Sequence, residues 1–142
     1  MPRILVAEDE DAFAFALATD LQAEGYEVAV VDDGLEAVDC ARSGSFDVVL
    51  LDVMLPGKDG FEVCRELRRS GTRTPIILLT AKTQATEKIV GLDVGADEYV
   101  TRPFSPRELR ARIGAILRSS QRPPRPGWED LSRDADKLRI EE

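Results

Sequence analysis

Asp47-Val-Val-Leu-Leu-Asp52 is a short apolar run with no polar alternation, closed at its carboxyl end by an acid. A strand buried on both faces of a parallel sheet requires that pattern, because neither set of alternating side chains meets water. The pattern recurs twice. Arg3-Ile-Leu-Val-Ala7 runs into Glu8-Asp9-Glu10, and Pro75-Ile-Ile-Leu-Leu79 runs into Thr80. Three chemically capable ends therefore emerge on one carboxyl edge, which is where open α/β sheets place their ligands.

Working outward, hydrophobic periodicity predicts strands over 3–7, 26–31, 47–52, 75–80 and 97–101, and helices over 11–24, 34–43, 60–69, 84–94 and 105–119. Asp33-Gly-Leu-Glu36 and Ser105-Pro-Arg-Glu108 each pair a capping residue with Glu three positions on, and Pro106 falls at a first helical position. Gly25, Gly44, Gly71 and Gly95 follow the helix ends, where a left-handed residue is expected. Regular alternation of strand and helix implies right-handed crossovers and a doubly wound α/β fold, a (βα)5 parallel sheet of order 2-1-3-4-5. In that order the first and third strands are neighbours at the switch point, so Asp9 and Asp52 face one another across the crevice.

The chain has 142 residues, 43% hydrophobic and 32% charged, with a formal net charge of -8. That is one domain's worth of material. Its acidity argues against nucleic-acid or anionic-membrane binding through the bulk surface. No apolar run is long enough to cross a bilayer and Met1-Pro-Arg-Ile-Leu5 lacks the pattern of a secretory signal, so a cytoplasmic location is expected. Cys40 and Cys64 stand apart, with no histidine to complete a soft-metal site, and read as small buried hydrophobes in a reducing compartment. Ser119-Ser-Gln-Arg-Pro-Pro-Arg-Pro-Gly127 reads as a non-helical linker, and residues 128–142 as a charged tail or the start of a further domain.

Any single acid at a strand end is ordinarily a solvated residue or a helix cap; the joint placement on one edge is what singles these out. Glu8, Asp9 and Asp52 gather negative charge that a cation must offset. Hard carboxylate oxygens without His or Cys select Mg²⁺ or Mn²⁺, and Mg²⁺ keeps water positions that phosphate oxygens take over. A carboxylate is also a nucleophile toward phosphorus, giving an aspartyl-phosphate. Thr80 offers that phosphoryl group a hydroxyl donor and Arg102 a permanent positive charge.

Across about residues 2–119 the chain resembles the receiver domain of bacterial two-component response regulators, whose fold is flavodoxin-like. The resemblance lies in Arg3-Ile-Leu-Val-Ala-Glu-Asp-Glu10, Val48-Val-Leu-Leu-Asp-Val-Met-Leu-Pro-Gly-Lys-Asp-Gly60, Pro75-Ile-Ile-Leu-Leu-Thr-Ala81 and Gly91-Leu-Asp-Val-Gly-Ala-Asp-Glu-Tyr-Val-Thr-Arg-Pro-Phe104. It implies that Asp52 is the phosphoacceptor, phosphorylated by a sensor histidine kinase, and that the chain is a switch, assisting only its own phosphorylation and dephosphorylation, not an enzyme acting on others. It implies Mg²⁺ on Asp9, Asp52 and the Met54 backbone carbonyl beside Glu8, and a switch pair of Thr80 and Tyr99. Met54 and Lys82 fall at positions that tune the lifetime of the phosphate, and the Arg102-Pro103 peptide bond is expected to be cis.

One position departs from the family: Arg102 stands where it has Lys. Arg is longer, planar and bidentate, so the exchange keeps charge but not geometry. The ending Glu108-Leu-Arg-Ala-Arg-Ile-Gly-Ala-Ile-Leu-Arg118 resembles the OmpR/PhoB-type subfamily, whose receivers precede a winged-helix DNA-binding domain. That implies a receiver over 1–119, a linker over 120–127, and at 128–142 the start of an effector through which alone DNA is bound. It also implies a phosphorylation-favoured homodimer whose face carries Lys88, Glu98, Glu108 and Arg112, with Lys88 facing Glu108 and Glu98 facing Arg112. Arg102 motivates a second reading, a phosphate-independent pseudo-receiver. A true enzyme is a third: Asp52-Val-Met54 lacks the second acid of an aspartate-nucleophile hydrolase, and Ala7-Glu-Asp-Glu-Asp11 is acidic where a flavodoxin cradles phosphate.

Overall fold

The computed structural model describes residues 1–80 and 93–121. Five parallel strands, β1 (Arg3–Ala7), β2 (Glu27–Val31), β3 (Val48–Asp52), β4 (Ile76–Thr80) and β5 (Glu98–Thr101), form one sheet in the order β2-β1-β3-β4-β5. Four described helices cover it: α1 (Asp11–Ala23), α2 (Gly34–Ser43), α3 (Gly60–Arg69) and α4 (Pro106–Gln121). Most of the helix expected over 84–94, residues 84–92 including Lys88, lies outside the described residues, as do Lys82 and the tail over 128–142.

Every residue of β3 and β4 is buried, because helices pack on both sides of the sheet. Leu5, Ala7, Val49, Leu51, Ile76 and Leu78 face Ala37, Val38 and Ala41 of α2 and Val63, Cys64 and Leu67 of α3. The alternate residues Ile4, Val6, Val48, Leu50, Ile77 and Leu79 face Leu17 and Leu21 of α1 and Leu109, Ile113 and Leu117 of α4. The period of two in the strands thus feeds two separate cores. Cys64 belongs to the first: its Sγ–H donates to the Val94 carbonyl at 3.4 Å, and burial pushes its thiol up to about 11, which keeps it unreactive at neutral pH.

The caps form as expected. Asp33 Oδ1 accepts from the Glu36 N–H at 2.7 Å, and Ser105 Oγ from the Glu108 N–H at 2.9 Å. Strands β2 to β5 begin one residue later than the periodicity suggested. Two further expectations are corrected. Gly44 is extended, with φ -93° and ψ 165°, and is not left-handed. A Cβ there would lie 2.5 Å from the Phe46 ring and 2.9 Å from the Cys40 carbonyl, so close approach is what requires glycine. The final helix also runs to Gln121, beyond the expected boundary at 119. Proline disfavours helix only at itself and the residue before it, and the first proline of that stretch is Pro123.

Candidate functional site

Register builds the site. Ala7 pairs with Leu51 across β1 and β3, so the next residues, Glu8 and Asp52, emerge side by side. Backbone hydrogen bonds continue one step past the strand ends and hold the edge in place. The N–H groups of Glu8, Val53 and Arg102 donate to the carbonyls of Val31, Leu79 and Thr80 at 3.0, 2.9 and 2.6 Å. Below Asp52 the chain folds back so closely that a Cβ on Gly60 would lie 2.5 Å from the Asp52 carbonyl oxygen. Asp59 then caps α3 by accepting from the Glu62 N–H at 2.9 Å.

Glu8, Asp52 and Thr80 are the buried polar residues of the described structure, at 1%, 4% and 2% exposure, whereas Asp9 is open to solvent. Carboxylate oxygens of Glu8, Asp9 and Asp52 lie within 4.8 Å of one another. This all-oxygen set, with one exposed member for entry, fits a hard divalent cation such as Mg²⁺ or Mn²⁺. A second acidic group, Asp32, Asp33 and Glu36, is far more exposed, and its Asp33 is engaged as a cap.

Arg102 lies on the acids. Its Nη2 pairs with Glu8 Oε1 and stands 3.6 Å from Asp52 Oδ2. The Arg102-Pro103 peptide bond is cis, as the resemblance implied. Asp52 Oδ1 accepts from the Met54 N–H at 3.1 Å, while the Met54 side chain is 70% exposed. Thr80 ends β4 beside β3. Tyr99 sits mid-strand in β5, paired with Leu78, and packs half-buried against the first core. Farther off, Arg112 pairs within its own chain, with Glu98 at 2.6 Å and Glu108 at 3.2 Å.

One contributor was not anticipated. Phe13, in the first turn of α1, lies under the Arg102 guanidinium at 4.3 Å from ring centroid to Cζ, and meets Phe104 edge-on at 5.9 Å. A signal existed: helical side chains tilt toward the N-terminus, and the N-terminus of α1 follows directly on Glu8 and Asp9.

Burial raises the Asp52 carboxyl above its ordinary range, the Asp9 charge adds to it, and the Met54 N–H and Arg102 only partly oppose. Burial likewise raises Glu8, with Asp52 adding and the Glu10 N–H and Arg102 opposing. A carboxyl raised by folding contributes stability below its unfolded pKa and loses it as pH rises through the folded value. In chelator, Asp52→Asn should therefore be more stable than the parent at neutral pH. Thermal unfolding should show that gain shrink as pH falls toward the ordinary carboxylate range, and a gain independent of pH would contradict it.

The response regulator receiver domain family matches residues 4–114. The chain is 47% identical over 119 residues to the alkaline phosphatase synthesis transcriptional regulatory protein PhoP of Bacillus subtilis (strain 168), covering 84% of this chain and 50% of that protein. It is 48% identical over 140 residues to the transcriptional regulatory protein TcrA of Mycobacterium tuberculosis (strain ATCC 25618 / H37Rv), covering 97% of this chain and 55% of that one. The chain thus spans about half the length of these relatives. Among solved structures it superimposes, at TM-score 0.76 and 33% identity, on the receiver domain of the sensor histidine kinase PA1611 of Pseudomonas aeruginosa PAO1, which has a magnesium ion coordinated in its active-site cleft. That match covers 82% of this chain and 97% of the other. Sheet order, acidic edge and sequence agree, and the chain belongs to the response regulator receiver domain family.

Proposed function

We propose that this chain is a phosphorylation-controlled switch in which Asp52 accepts a phosphoryl group from a histidine kinase. The observation that carries the reading is a buried aspartate at the end of the central strand, flanked by two further acids and a cation. An Asp52 oxygen attacks the phosphorus of a phosphohistidine in line; the P–N bond breaks, the imidazole leaves, and an acyl phosphate remains. Burial excludes water from the nucleophile, and the Met54 N–H orients the carboxylate. Asp9, Asp52 and the Met54 carbonyl, beside Glu8, would hold a divalent cation, which would supply the positive charge that lets an anionic donor approach. Thr80 then donates its hydroxyl to the phosphoryl group, Arg102 pairs with it, and Tyr99 turns inward to report the change on β5.

The readout we assign is assembly. The Arg112 pairs with Glu98 and Glu108 are surface ion pairs, worth little individually and readily exchanged for pairs across a two-fold axis. With Lys88, they would make the phosphorylation-favoured dimer face. The match to TcrA runs through nearly the whole chain, which supports reading 1–119 as receiver, 120–127 as linker and 128–142 as the start of a DNA-binding effector. Sedimentation with beryllofluoride and Mg²⁺ should show a dimer that weakens as salt rises. Backbone NMR shifts at Thr80 and Tyr99 should accompany it and vanish in chelator. An unchanged mass with unchanged Thr80 and Tyr99 signals would contradict the switch.

A further inference from the structure

We propose that Arg102 is the resting occupant of the acidic pocket and that Phe13 is the positioning residue holding it there, so that the aromatic ring sets how readily a divalent cation enters. The inference rests on the phosphoacceptor reading above. Arg102 Nη2 pairs with Glu8 and stands 3.6 Å from Asp52, so a cation seated among Glu8, Asp9 and Asp52 shares two of its three acids with the guanidinium. Two cations competing for the same oxygens repel, and the guanidinium must loosen for the ion to seat. What resists loosening on the far side is Phe13, whose ring face lies 4.3 Å from Cζ. A planar guanidinium stacks on such a face in a way a compact ammonium does not, so the residue that departs from the family is the one suited to this clamp.

Two observations indicate that the clamp is made to release. Arg102 Nε is buried with no hydrogen-bond partner among the described residues, so within that set the clamped state does not use all of the guanidinium's donors. A recess of about 530 Å³ opens beside it, lined by Phe13, Arg102, Pro103 and Phe104, which gives the side chain somewhere to go.

The test is Mg²⁺ binding to the full chain by calorimetry, with the Arg102 Nε–H NMR signal as a second readout. Phe13→Leu should bind Mg²⁺ about three- to tenfold more tightly than the parent, whereas Phe13→Tyr, which keeps the ring face, should match the parent. Arg102→Ala should bind more tightly still, and adding Phe13→Leu to it should change nothing further. Mg²⁺ should shift the Nε–H signal in the parent, and Phe13→Leu should already show part of that shift without metal. Equal affinity in parent, Phe13→Leu and Arg102→Ala would overturn the clamp while leaving the metal site standing. A gain from Phe13→Leu that persists on Arg102→Ala would overturn it too. Absence of binding in every variant would overturn the clamp and the metal site together.

Discussion

Arg68→Ala is expected to cost about 3 kcal/mol of unfolding free energy and to lower the melting temperature by roughly 10 °C. Arg68 lies in the last turn of α3, and its guanidinium meets four oxygens from two directions. Nε donates to the Gly95 carbonyl, Nη1 to the carbonyls of Thr72 and Thr74, each at 2.9 Å, and Nη2 to Asp97 Oδ2 at 2.9 Å. Asp97 in turn accepts from the Ile76 N–H at 2.8 Å. One side chain thus ties the turn after α3 to the segments leading into β4, which ends in Thr80, and β5, which is followed by Arg102. Removing it leaves partly buried carbonyls without donors and Asp97 without its counter-ion, and such orphaned groups cost more than the bonds themselves contribute. Arg68→Lys restores charge but not the fork and should recover less than half of the loss. Calorimetric unfolding of the two variants checks this; a loss under about 1 kcal/mol for Arg68→Ala would show the network to be redundant.

Arg68 also marks the limit of what the chain's pattern discloses. The strands were legible because Val48 to Leu51 and Ile76 to Leu79 are apolar at every position, and only burial on both faces calls for that. Asp33 and Ser105 were legible as caps because capping acts over three residues. The acidic edge followed from the same logic, since strand order put Asp9 and Asp52 across one crevice; that Glu8 is the acid directly beside Asp52 is set by the register of β1 on β3. Other features depend on contacts between distant residues. Nothing near Arg68 in sequence foretells Gly95 and Asp97, 27 and 29 residues away. The Phe13 partnership with Arg102 likewise spans nearly the whole domain. Gly44 looked like one more helix-terminating glycine, and only the position of the Phe46 ring explains it. That Arg102 keeps the charge of the family's Lys was legible in the sequence; where its longer side chain lies was not, and the structure pairs it with Glu8.

The second large effect is chemical. Asp52→Asn should remove phosphorylation altogether, because the nucleophilic oxygen is replaced by an amide and no other acid holds its place. Glu8 is equally buried but is engaged by Arg102 and the Glu10 N–H, and Asp9 stands in solvent at the mouth of the pocket. Neither ends a strand between two others, as Asp52 does between β1 and β4. On the proposed phosphoacceptor reading, charge should make the same step metal-dependent: a phosphoryl donor is an anion, and three carboxylates within 4.8 Å repel it unless a cation intervenes. Arg102 alone offsets a single charge and is already paired with Glu8. Asp9→Asn should accordingly slow labelling by at least about tenfold at fixed Mg²⁺ while leaving the nucleophile in place.

The most direct test is intact-mass analysis of the chain after incubation with acetyl phosphate and Mg²⁺, run beside Asp52→Asn and beside the parent in excess chelator. A single phosphoryl increment is expected on the parent, lost on hydroxylamine treatment as an acyl phosphate should be, and no increment in either control. A stable increment on Asp52→Asn, or labelling undiminished by chelator, would contradict it.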